Sequence, residues 1–471
     1  NPKPQTPNPK PQTPNPCVMR GIILLAILCV GVLSSSSFEC QIDVDCTSNF
    51  GSKYHCERSR CVRVAIDYSV REVIGLISVA TLAAISNAGG VGAGTVVVPV
   101  YMVFWEFTSP DAVHLSRITI FAGALVNFLL NWRQRDPQDK DKLLVDYALA
   151  SIMIPLHLGG AEIGVLLGKS LPSALVTCLL IFFLWMTISR TLARAKAERD
   201  KERKSHRWTE LKANDDTLSK MCTTDGDKTE EHNHEFYRER FATISERELV
   251  KSQKVNMVTP LAAYLAVVIS ALVRGGEGRG SIIGLERCGQ GWWWILLLSQ
   301  IACGMVAAWA WTRNNANMER ESLEKVGGRE RTRRARLLCA SYVTGLAAGA
   351  VGVGGGTLLS AYMLSDGHAL ASSSALSTLA ILYSSSSTTV QSVVGGGIHM
   401  RHAYASMGTS LIGAVIGNCC LKEVIKRLNK PSIILWVLVG VLSLALVVVP
   451  YQLGESVLTN PRGALSLGNA C

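Results

Sequence analysis

The sequence predicts an all-α, multi-pass membrane protein built from two copies of one hydrophobic module. Of its 471 residues, 48% are hydrophobic and 18% are charged, and most of the charge falls in two stretches, 190–254 and 313–336. Segregation of this kind is typical of membrane proteins. A helix needs about 20 apolar residues to cross a bilayer, and many runs qualify, among them 112–130, 171–189, 292–311 and 433–449. We expect roughly 9–12 membrane segments.

Two glycine-rich breaks carry the evidence for duplication. A shift of 262 residues places GVGAGT at 90–95 on GVGGGT at 352–357. The pair at 115–116 falls on 376–377 after a one-residue slip. Farther along, Gly159, Gly164 and Gly168 align with Gly408, Gly413 and Gly417 at a common offset of 249. Three blocks in one order indicate internal duplication, which recurs among secondary transporters.

Composition divides the rest of the chain. From the N-terminus we predict a proline-rich, low-complexity tract at 1–18, a signal peptide at 19–38, a cysteine-rich extracytoplasmic segment at 39–66, transmembrane repeat 1 at 67–190, a charged cytoplasmic loop at 191–256, two connecting transmembrane helices at 257–312, a basic cytoplasmic loop at 313–336, transmembrane repeat 2 at 337–450 and an extracytoplasmic tail at 451–471. A low-complexity tract is unusual ahead of a signal peptide, so we expect Met19 to be the true start and 1–18 not to be native. The alternative is a disordered extension.

Four cysteines follow the signal-like segment within 22 residues, Cys40, Cys46, Cys56 and Cys61. Such a cluster in a secreted segment predicts two disulfides, whose pairing the sequence leaves open. A zinc knuckle is the alternative, but the gaps between these cysteines lack a CxxC pair. We predict no metal site and no cofactor.

Charge predicts the orientation of the two repeats. Basic loops of membrane proteins stay on the cytoplasmic side, so the net charge of +11 fits the loops and does not require nucleic acid as a partner. With the cysteine cluster outside and 191–256 inside, repeat 1 must cross the membrane an odd number of times. This holds if its glycine-broken stretch is a hairpin. Repeat 2 then starts inside and ends outside, so the repeats are inverted.

The glycine breaks predict the binding site. Backbone that leaves the helical hydrogen-bonding pattern is tolerated in a membrane only where it is buried in protein or lines a wet cavity. A helix that starts after such a break points its N–H groups at the cavity and suits an anion. The alternative is that the glycines only permit close helix packing. We predict substrate-binding roles for Gly90, Gly92, Gly94, Thr95, Ser116, Arg117, Gly352, Gly354, Gly355, Gly356, Thr357, Ser377, Thr378 and Gln391.

Glu162 is a carboxylate inside the apolar run 158–167. Ionisable side chains at membrane depth are costly, so they are functional candidates. We predict that Glu162 carries a proton during transport. The alternative is a structural ion pair, with Arg117 as the partner.

The same motifs resemble a known family. GLAAGAVGVGGGT at 345–357, SSALST at 373–378 and SSSSTTVQ at 384–391 resemble the second half of the sulfite exporter TauE/SafE family. NAGGVGAGTVVVPVY at 87–101 with LSR at 115–117 resembles its first half, particularly in plant and protist members. The resemblance implies transport of sulfur-containing anions, such as sulfite or sulfonates, without ATP hydrolysis by the chain. Ala361 stands where the resemblance leads us to expect a proline, which leaves the exact substrate open.

These observations together predict a secondary transporter of small sulfur-containing anions, proton-coupled through Glu162. The first alternative is a receptor or scaffold that keeps a transporter fold. An enzyme is not expected, because no HExxH motif or nucleophile elbow lies in or beside the spans. The expected partners are a small anion and the lipid bilayer of a eukaryotic endomembrane or plasma membrane, with the cysteine-rich segment on the extracytoplasmic side. A homo-oligomer, and a cytoplasmic partner for the 191–256 loop, are compatible with this prediction.

Overall fold

The computed structural model describes residues 54–56, 61–63, 70–88, 94–131, 144–219, 246–276, 280–286, 289–321, 327–365, 370–396, 400–421, 423–424, 427 and 432–459. A short hairpin precedes the membrane helices: β1 (Tyr54–Cys56) pairs antiparallel with β2 (Cys61–Arg63). This register places Cys56 opposite Cys61. Cys40 and Cys46 lie outside the described residues, so the disulfides stay a prediction.

Helices make up nearly all of the rest. They are α1 (Val70–Ala88), α2 (Gly94–Trp105), α3 (Ser109–Asn131), α4 (Tyr147–Ser170), α5 (Ser173–Ser219), α6 (Glu246–Arg274), α7 (Gln290–Glu321), α8 (Gly327–Val351), α9 (Gly356–Ser365), α10 (Leu370–Val394), α11 (Met400–Val415), which continues in a π-helical turn (Ile416–Leu421), and α12 (Ser432–Thr459). Within the described ranges, seven helices are long and apolar enough to cross a membrane, and three shorter apolar helices accompany them. The predicted all-α multi-pass class is confirmed.

Large apolar side chains on the outward faces agree with this class. Phe182 and Trp185 on α5 and Trp294 and Leu298 on α7 are each at least half exposed. Contiguous apolar surface of this kind needs a partner, and on a helical bundle of this hydropathy the partner is lipid. Many polar side chains are buried inside the bundle instead, so the candidate functional residues are sought in its interior.

The first glycine-broken stretch folds back on itself. Arg71, at the start of α1, donates to the Glu106 carboxylate at 2.5 Å and to the Val103 carbonyl at 2.5 Å, both at the far end of α2. The two outer ends therefore meet, as a hairpin requires. The odd number of crossings that underlies the predicted topology needed this hairpin, while the inverted orientation of the repeats stays a prediction.

The second break is fully described and depends on its glycines. α8 ends at Val351, and Gly352 and Gly354 follow with φ of +68° and +73°. L side chains rarely adopt this left-handed conformation, whereas glycine adopts it at little cost. Gly355 then packs against the Thr344 carbonyl of α8, and α9 begins at Gly356. The chain therefore turns between α8 and α9 through residues that lie outside the regular helical hydrogen-bonding pattern.

Small residues let helices of opposite repeats pack backbone to backbone. On α4, a Cβ at Gly160 or Gly164 would collide with the carbonyl oxygens of Tyr342 and Leu346 on α8. Close helix packing through small residues is a common way of associating membrane helices. Gly160 and Gly164 of α4 therefore serve close helix packing.

The same contact recurs between α11 and α1. A Cβ at Gly413 or Gly417 would collide with the carbonyl oxygens of Ala80 and Ala84. The 262-residue shift places Ala80 and Ala84 on Tyr342 and Leu346, whose carbonyls contact Gly160 and Gly164. The glycines that make equivalent contacts are therefore Gly413 with Gly160 and Gly417 with Gly164. The offset between α4 and α11 is therefore 253, and the 249 predicted from the sequence is wrong by about one helical turn. Evenly spaced glycines allow either alignment, and only the contacts distinguish them.

Substituting Gly413 should destabilise the protein. The added methyl group of Gly413→Ala meets the Ala80 backbone, which cannot give way as a flexible side chain does, so we expect a loss of about 1–3 kcal/mol. Gly408→Ala on the same helix is the matched control, because its Cβ would meet no described atom within 4 Å beyond the adjacent backbone of its own helix. Thermal unfolding of the purified variants in detergent measures both. Equal unfolding temperatures would contradict this packing.

α5 continues without interruption from its span into the charged region and ends at Ser219. Residues 191–219 of the predicted charged loop are therefore helical, and we call this part of α5 the stalk. Two contacts fix it: Glu202 accepts hydrogen bonds from the Ser432 N–H at 2.8 Å and the Ser432 hydroxyl at 2.7 Å, at the start of α12. Arg194 donates to Ser360 of α9 at 3.2 Å. The stalk is therefore attached to the short helix that follows the second break.

Candidate functional site

The two breaks meet inside the bundle. A Cβ at Gly94, the first residue of α2, would collide with the Val353 carbonyl in the second break and with the Ile120 side chain of α3. A Cβ at Gly356, the first residue of α9, would collide in the same way with Ile381 of α10. Ile120 and Ile381 belong to one buried cluster. The start of α2 and the start of α9 are thus brought into one region.

Arg117 lies beside this region, on α3, and is only 3% exposed. Its Nη2 donates to the Gly349 carbonyl at 2.5 Å, just before the second break, and its Nη1 donates to the Ser392 hydroxyl of α10 at 2.6 Å. His114 Nδ1 lies 3.1 Å from Nη1 and 2.9 Å from the Ser392 hydroxyl. A cation of repeat 1 is therefore held by two elements of repeat 2.

The partners of Arg117 are all neutral. Across the described ranges no carboxylate pairs with it, and its Nε has no acceptor. A buried charge is strongly disfavoured unless an opposite charge and hydrogen bonds compensate it. A guanidinium in this state offers free donor capacity and an unbalanced positive charge, which are the requirements of an anion site.

Further polar groups without partners lie beside the breaks. Asn87, which precedes the first break, accepts from Asn127 at 2.6 Å, yet its own Nδ2 has no acceptor among the described residues. His157 of α4 is fully buried, with Nδ1 3.0 Å from the Ser341 carbonyl, and its Nε2 has no partner in the described part of the chain. A Cβ on Gly355 would lie 2.7 Å from His157 Cε1, so this ring abuts the second break. Buried polar groups are normally hydrogen-bonded, so Asn87, which precedes the first break in the chain, and His157, which abuts the second, are exceptions among the described residues.

The predicted site residues fall into three groups. Ser116 contacts the second break, because its hydroxyl donates to the Gly352 carbonyl at 3.0 Å. Ser377 and Thr378 each donate to the Ser374 carbonyl of their own helix at 2.9 Å, and Gln391 donates to Ser387 at 3.2 Å. Gly90 and Gly92 lie outside the described residues, as do the side chains of Thr95 and Thr357.

Sequence reasoning missed four polar residues of this region. They are Asn87, His114, His157 and Ser392. Each is a polar residue within an apolar segment, which is a usable signal. However, the chain has many such residues, and the structure selects these four by their contacts.

Glu162 pairs with Arg274, the last residue of α6, and the suggested pairing with Arg117 is wrong. Its Oε1 also accepts from Ser270 at 2.7 Å, and its Oε2 accepts from Ser299 at 2.7 Å and Gln300 at 2.9 Å. Both side chains of the pair are almost completely buried. Each carboxylate oxygen of Glu162 thus accepts from two donors. This arrangement favours the structural ion pair over the proton carrier, with Arg274 as the partner of Glu162.

These features define a multi-pass membrane protein in which two glycine-broken helix pairs meet beside a buried cation that no described carboxylate compensates. The profile of the family described as Sulfite exporter TauE/SafE matches residues 75–213 and 280–448. The chain therefore belongs to the sulfite exporter TauE/SafE family, and the resemblance drawn from its motifs is confirmed.

Curated relatives agree over most of the chain. "Sulfite exporter TauE/SafE family protein 2" of Arabidopsis thaliana is 26% identical over 392 residues, which cover 80% of this chain and 81% of that protein. "Sulfite exporter TauE/SafE family protein 1" of the same plant is 24% identical over 393 residues, covering 81% and 84%. No solved structure matches the chain. The family profile leaves out 214–279, and this gap includes Arg274.

Proposed function

We propose that this protein is a secondary transporter of small sulfur-containing anions, such as sulfite or a sulfonate, and that the anion binds at Arg117. The observation that carries this proposal is the buried guanidinium, which pairs with no carboxylate in the described part of the chain. An anion would supply the missing charge. The family name, sulfite exporter, supports the same class of substrate.

The surroundings of Arg117 suit a small oxyanion. The N-termini of α2 and α9 bring N–H groups and the positive ends of helix dipoles to the region where the breaks meet. The Arg117 Nε and Asn87 Nδ2 are donors that have no acceptor among the described residues, and a deprotonated oxyanion only accepts hydrogen bonds. Side-chain donors and helix N-termini near the breaks therefore support an anion rather than a cation as the solute. The close approach of Gly94 to Val353 limits the size of the anion that can bind there.

Proton coupling is a further part of the proposal. Glu162 is the carboxylate predicted to carry the proton, and in that role it must separate from Arg274 during the cycle. His157 is a second candidate, because protonation of its unpartnered Nε2 would turn this atom into a donor beside the second break. Both residues lie on α4, five positions apart. At a helix rise of about 1.5 Å per residue, they are separated by about 7.5 Å along the helix axis.

The predicted surroundings of the transporter belong to the same proposal. The cysteine-rich segment lies on the extracytoplasmic side with its disulfides formed, the stalk lies in the cytoplasm, and the two repeats are inverted. Alternating access then requires one repeat to move against the other around the fixed site. Arg117 suits this movement because its contacts join the two repeats.

Flux into liposomes tests the function directly. The full chain is reconstituted, and uptake of labelled sulfite, sulfate and an organosulfonate is followed with and without a pH gradient. We expect saturable flux of sulfite or the sulfonate above that of empty liposomes. If none of the three crosses, the protein is a receptor or scaffold with a transporter fold.

A further inference from the structure

Three asparagine side chains form a hydrogen-bonded chain that ends beside the first break. Asn418, in the π-helical turn that continues α11, donates to the Asn127 side-chain oxygen at 2.5 Å. Asn127 of α3 donates in turn to the Asn87 side-chain oxygen at 2.6 Å. Asn87 is the last residue but one of α1. We call these three residues the amide chain, which joins an element of repeat 2 to two elements of repeat 1.

A main-chain carbonyl fixes the direction of the amide chain. Asn418 Nδ2 also donates to the Ala414 carbonyl oxygen at 2.8 Å. A carbonyl oxygen only accepts hydrogen bonds, and an amide NH2 has two hydrogens, one for each of these acceptors. The Asn127 atom that meets this NH2 must therefore be its oxygen. The NH2 of Asn127 is then left to meet the Asn87 oxygen, and the NH2 of Asn87 is the end of the chain.

The Asn87 NH2 is a buried donor in need of an acceptor. The residue is 3% exposed, and its Nδ2 has no hydrogen-bond partner among the described residues. Buried polar groups are normally hydrogen-bonded. Because the amide chain engages the oxygen of Asn87, the group that this residue has left to offer is a donor. A ligand of Asn87 must therefore carry an acceptor.

This NH2 lies close to the place where the two breaks meet. Asn87 Nδ2 is 3.3 Å from the position of a Cβ on Gly123 of α3. One turn earlier on α3, the Ile120 side chain is 2.7 Å from the position of a Cβ on Gly94 and 3.7 Å from that on Gly354. Residues three apart on a helix are neighbours on its surface. The donor is therefore about one helical turn from a side chain that contacts both breaks.

We infer that Asn127 and Asn418 are positioning residues, which hold Asn87 so that it offers an N–H, and not an oxygen, to the transported anion. This inference rests on the proposed anion transport. A deprotonated oxyanion only accepts hydrogen bonds, so an Asn87 amide that turned over would oppose it with a second acceptor. π-helical turns inside α-helices frequently lie at functional sites. The amide chain gives this one a function, because the turn sets the orientation of an amide beside the first break.

A double-mutant cycle on anion affinity tests the amide chain. Equilibrium binding of labelled sulfite is measured for monodisperse wild type, Asn87→Leu, Asn127→Leu and the double variant. Asn87→Leu removes the donor, so we expect the affinity to fall roughly tenfold or more. Asn127→Leu keeps the donor but no longer orients it, so we expect a smaller loss of roughly threefold. In the Asn87→Leu background Asn127→Leu should have no further effect, because no amide is left to orient.

Thr187→Val is the matched control for these variants. Thr187 is also buried in a membrane helix, and its hydroxyl donates to the Phe183 carbonyl of that helix. Its affinity for sulfite should equal that of the wild type. Unchanged affinity in Asn87→Leu or in Asn127→Leu overturns the inference. A double variant in which the two losses multiply also overturns it, because Asn127 would then act independently of Asn87.

A second measurement does not depend on anion binding. In protein that carries isotope-labelled asparagine, the side-chain amide resonance of Asn87 is identified by its absence in Asn87→Leu. We expect this resonance to shift in Asn418→Leu, because Asn127 is then able to turn over, and to stay in place in Thr187→Val. An unmoved resonance in Asn418→Leu overturns the amide chain. If the resonance shifts but the wild type binds no sulfite, the orientation of Asn87 stands and the proposed function fails.

Discussion

Replacing Arg117 by glutamine should abolish anion transport without weakening the fold. The guanidinium is buried and lacks a carboxylate partner in the described part of the chain, so under the proposed function a bound anion is its main compensation. Removing one member of a buried charge pair costs about 2–5 kcal/mol of binding, which corresponds to roughly 30-fold or more in affinity. Flux of labelled sulfite into liposomes measures this loss.

Stability is the second readout for Arg117→Gln. The variant gives up hydrogen bonds to Gly349 and Ser392, but it no longer buries an uncompensated charge. In the absence of anion we therefore expect an unfolding temperature equal to or above that of the wild type. Residues that serve function at the expense of stability behave in this way. A strongly destabilised Arg117→Gln protein would show that the residue is structural.

Replacing Glu162 by glutamine should have the opposite effect on stability. The variant leaves the Arg274 charge buried without its partner, and breaking a buried pair on one side typically costs about 3–5 kcal/mol. Thermal unfolding in detergent should show a large loss. The double variant Glu162→Leu, Arg274→Met should recover most of it, because an apolar pair of similar volume often replaces a buried ion pair without loss.

Flux in the Glu162 variants then decides its second possible role. If the rescued double variant transports sulfite with the same dependence on a pH gradient as the wild type, the pair is structural. If flux remains but no longer responds to the gradient, Glu162 carries the proton. A double variant no more stable than Glu162→Gln alone would contradict the ion pair as the source of the stability effect.

The two arginines show what sequence could and could not supply. Arg117 can be recognised from the sequence, because a basic residue within an apolar span is energetically costly and is therefore a functional candidate. Arg274 looks like a loop residue, since it ends a run of apolar residues and precedes two glycines. Only the packing of α6 against α4 buries it, and packing between distant segments leaves no local pattern. The partner of Glu162 was therefore misassigned.

The glycine motifs were more informative than the side chains around them. A shift of 262 residues identified the duplicated breaks, and the contact of Gly94 with Val353 shows that they meet. Glycine spacing four or five apart, however, fits two alignments that differ by a helical turn, which produced the wrong offset between α4 and α11. The hydroxyls of Ser377 and Thr378 show the same limit, because a serine or threonine in a helix often bonds its own preceding turn.

The central claim is that an anion compensates Arg117 where the two breaks meet, and equilibrium binding of labelled sulfite tests it most directly. Wild-type protein is compared with Arg117→Gln, and both are confirmed as monodisperse beforehand. The account predicts saturable binding to the wild type and an affinity at least roughly 30-fold lower in the variant. Equal binding to both proteins would contradict it.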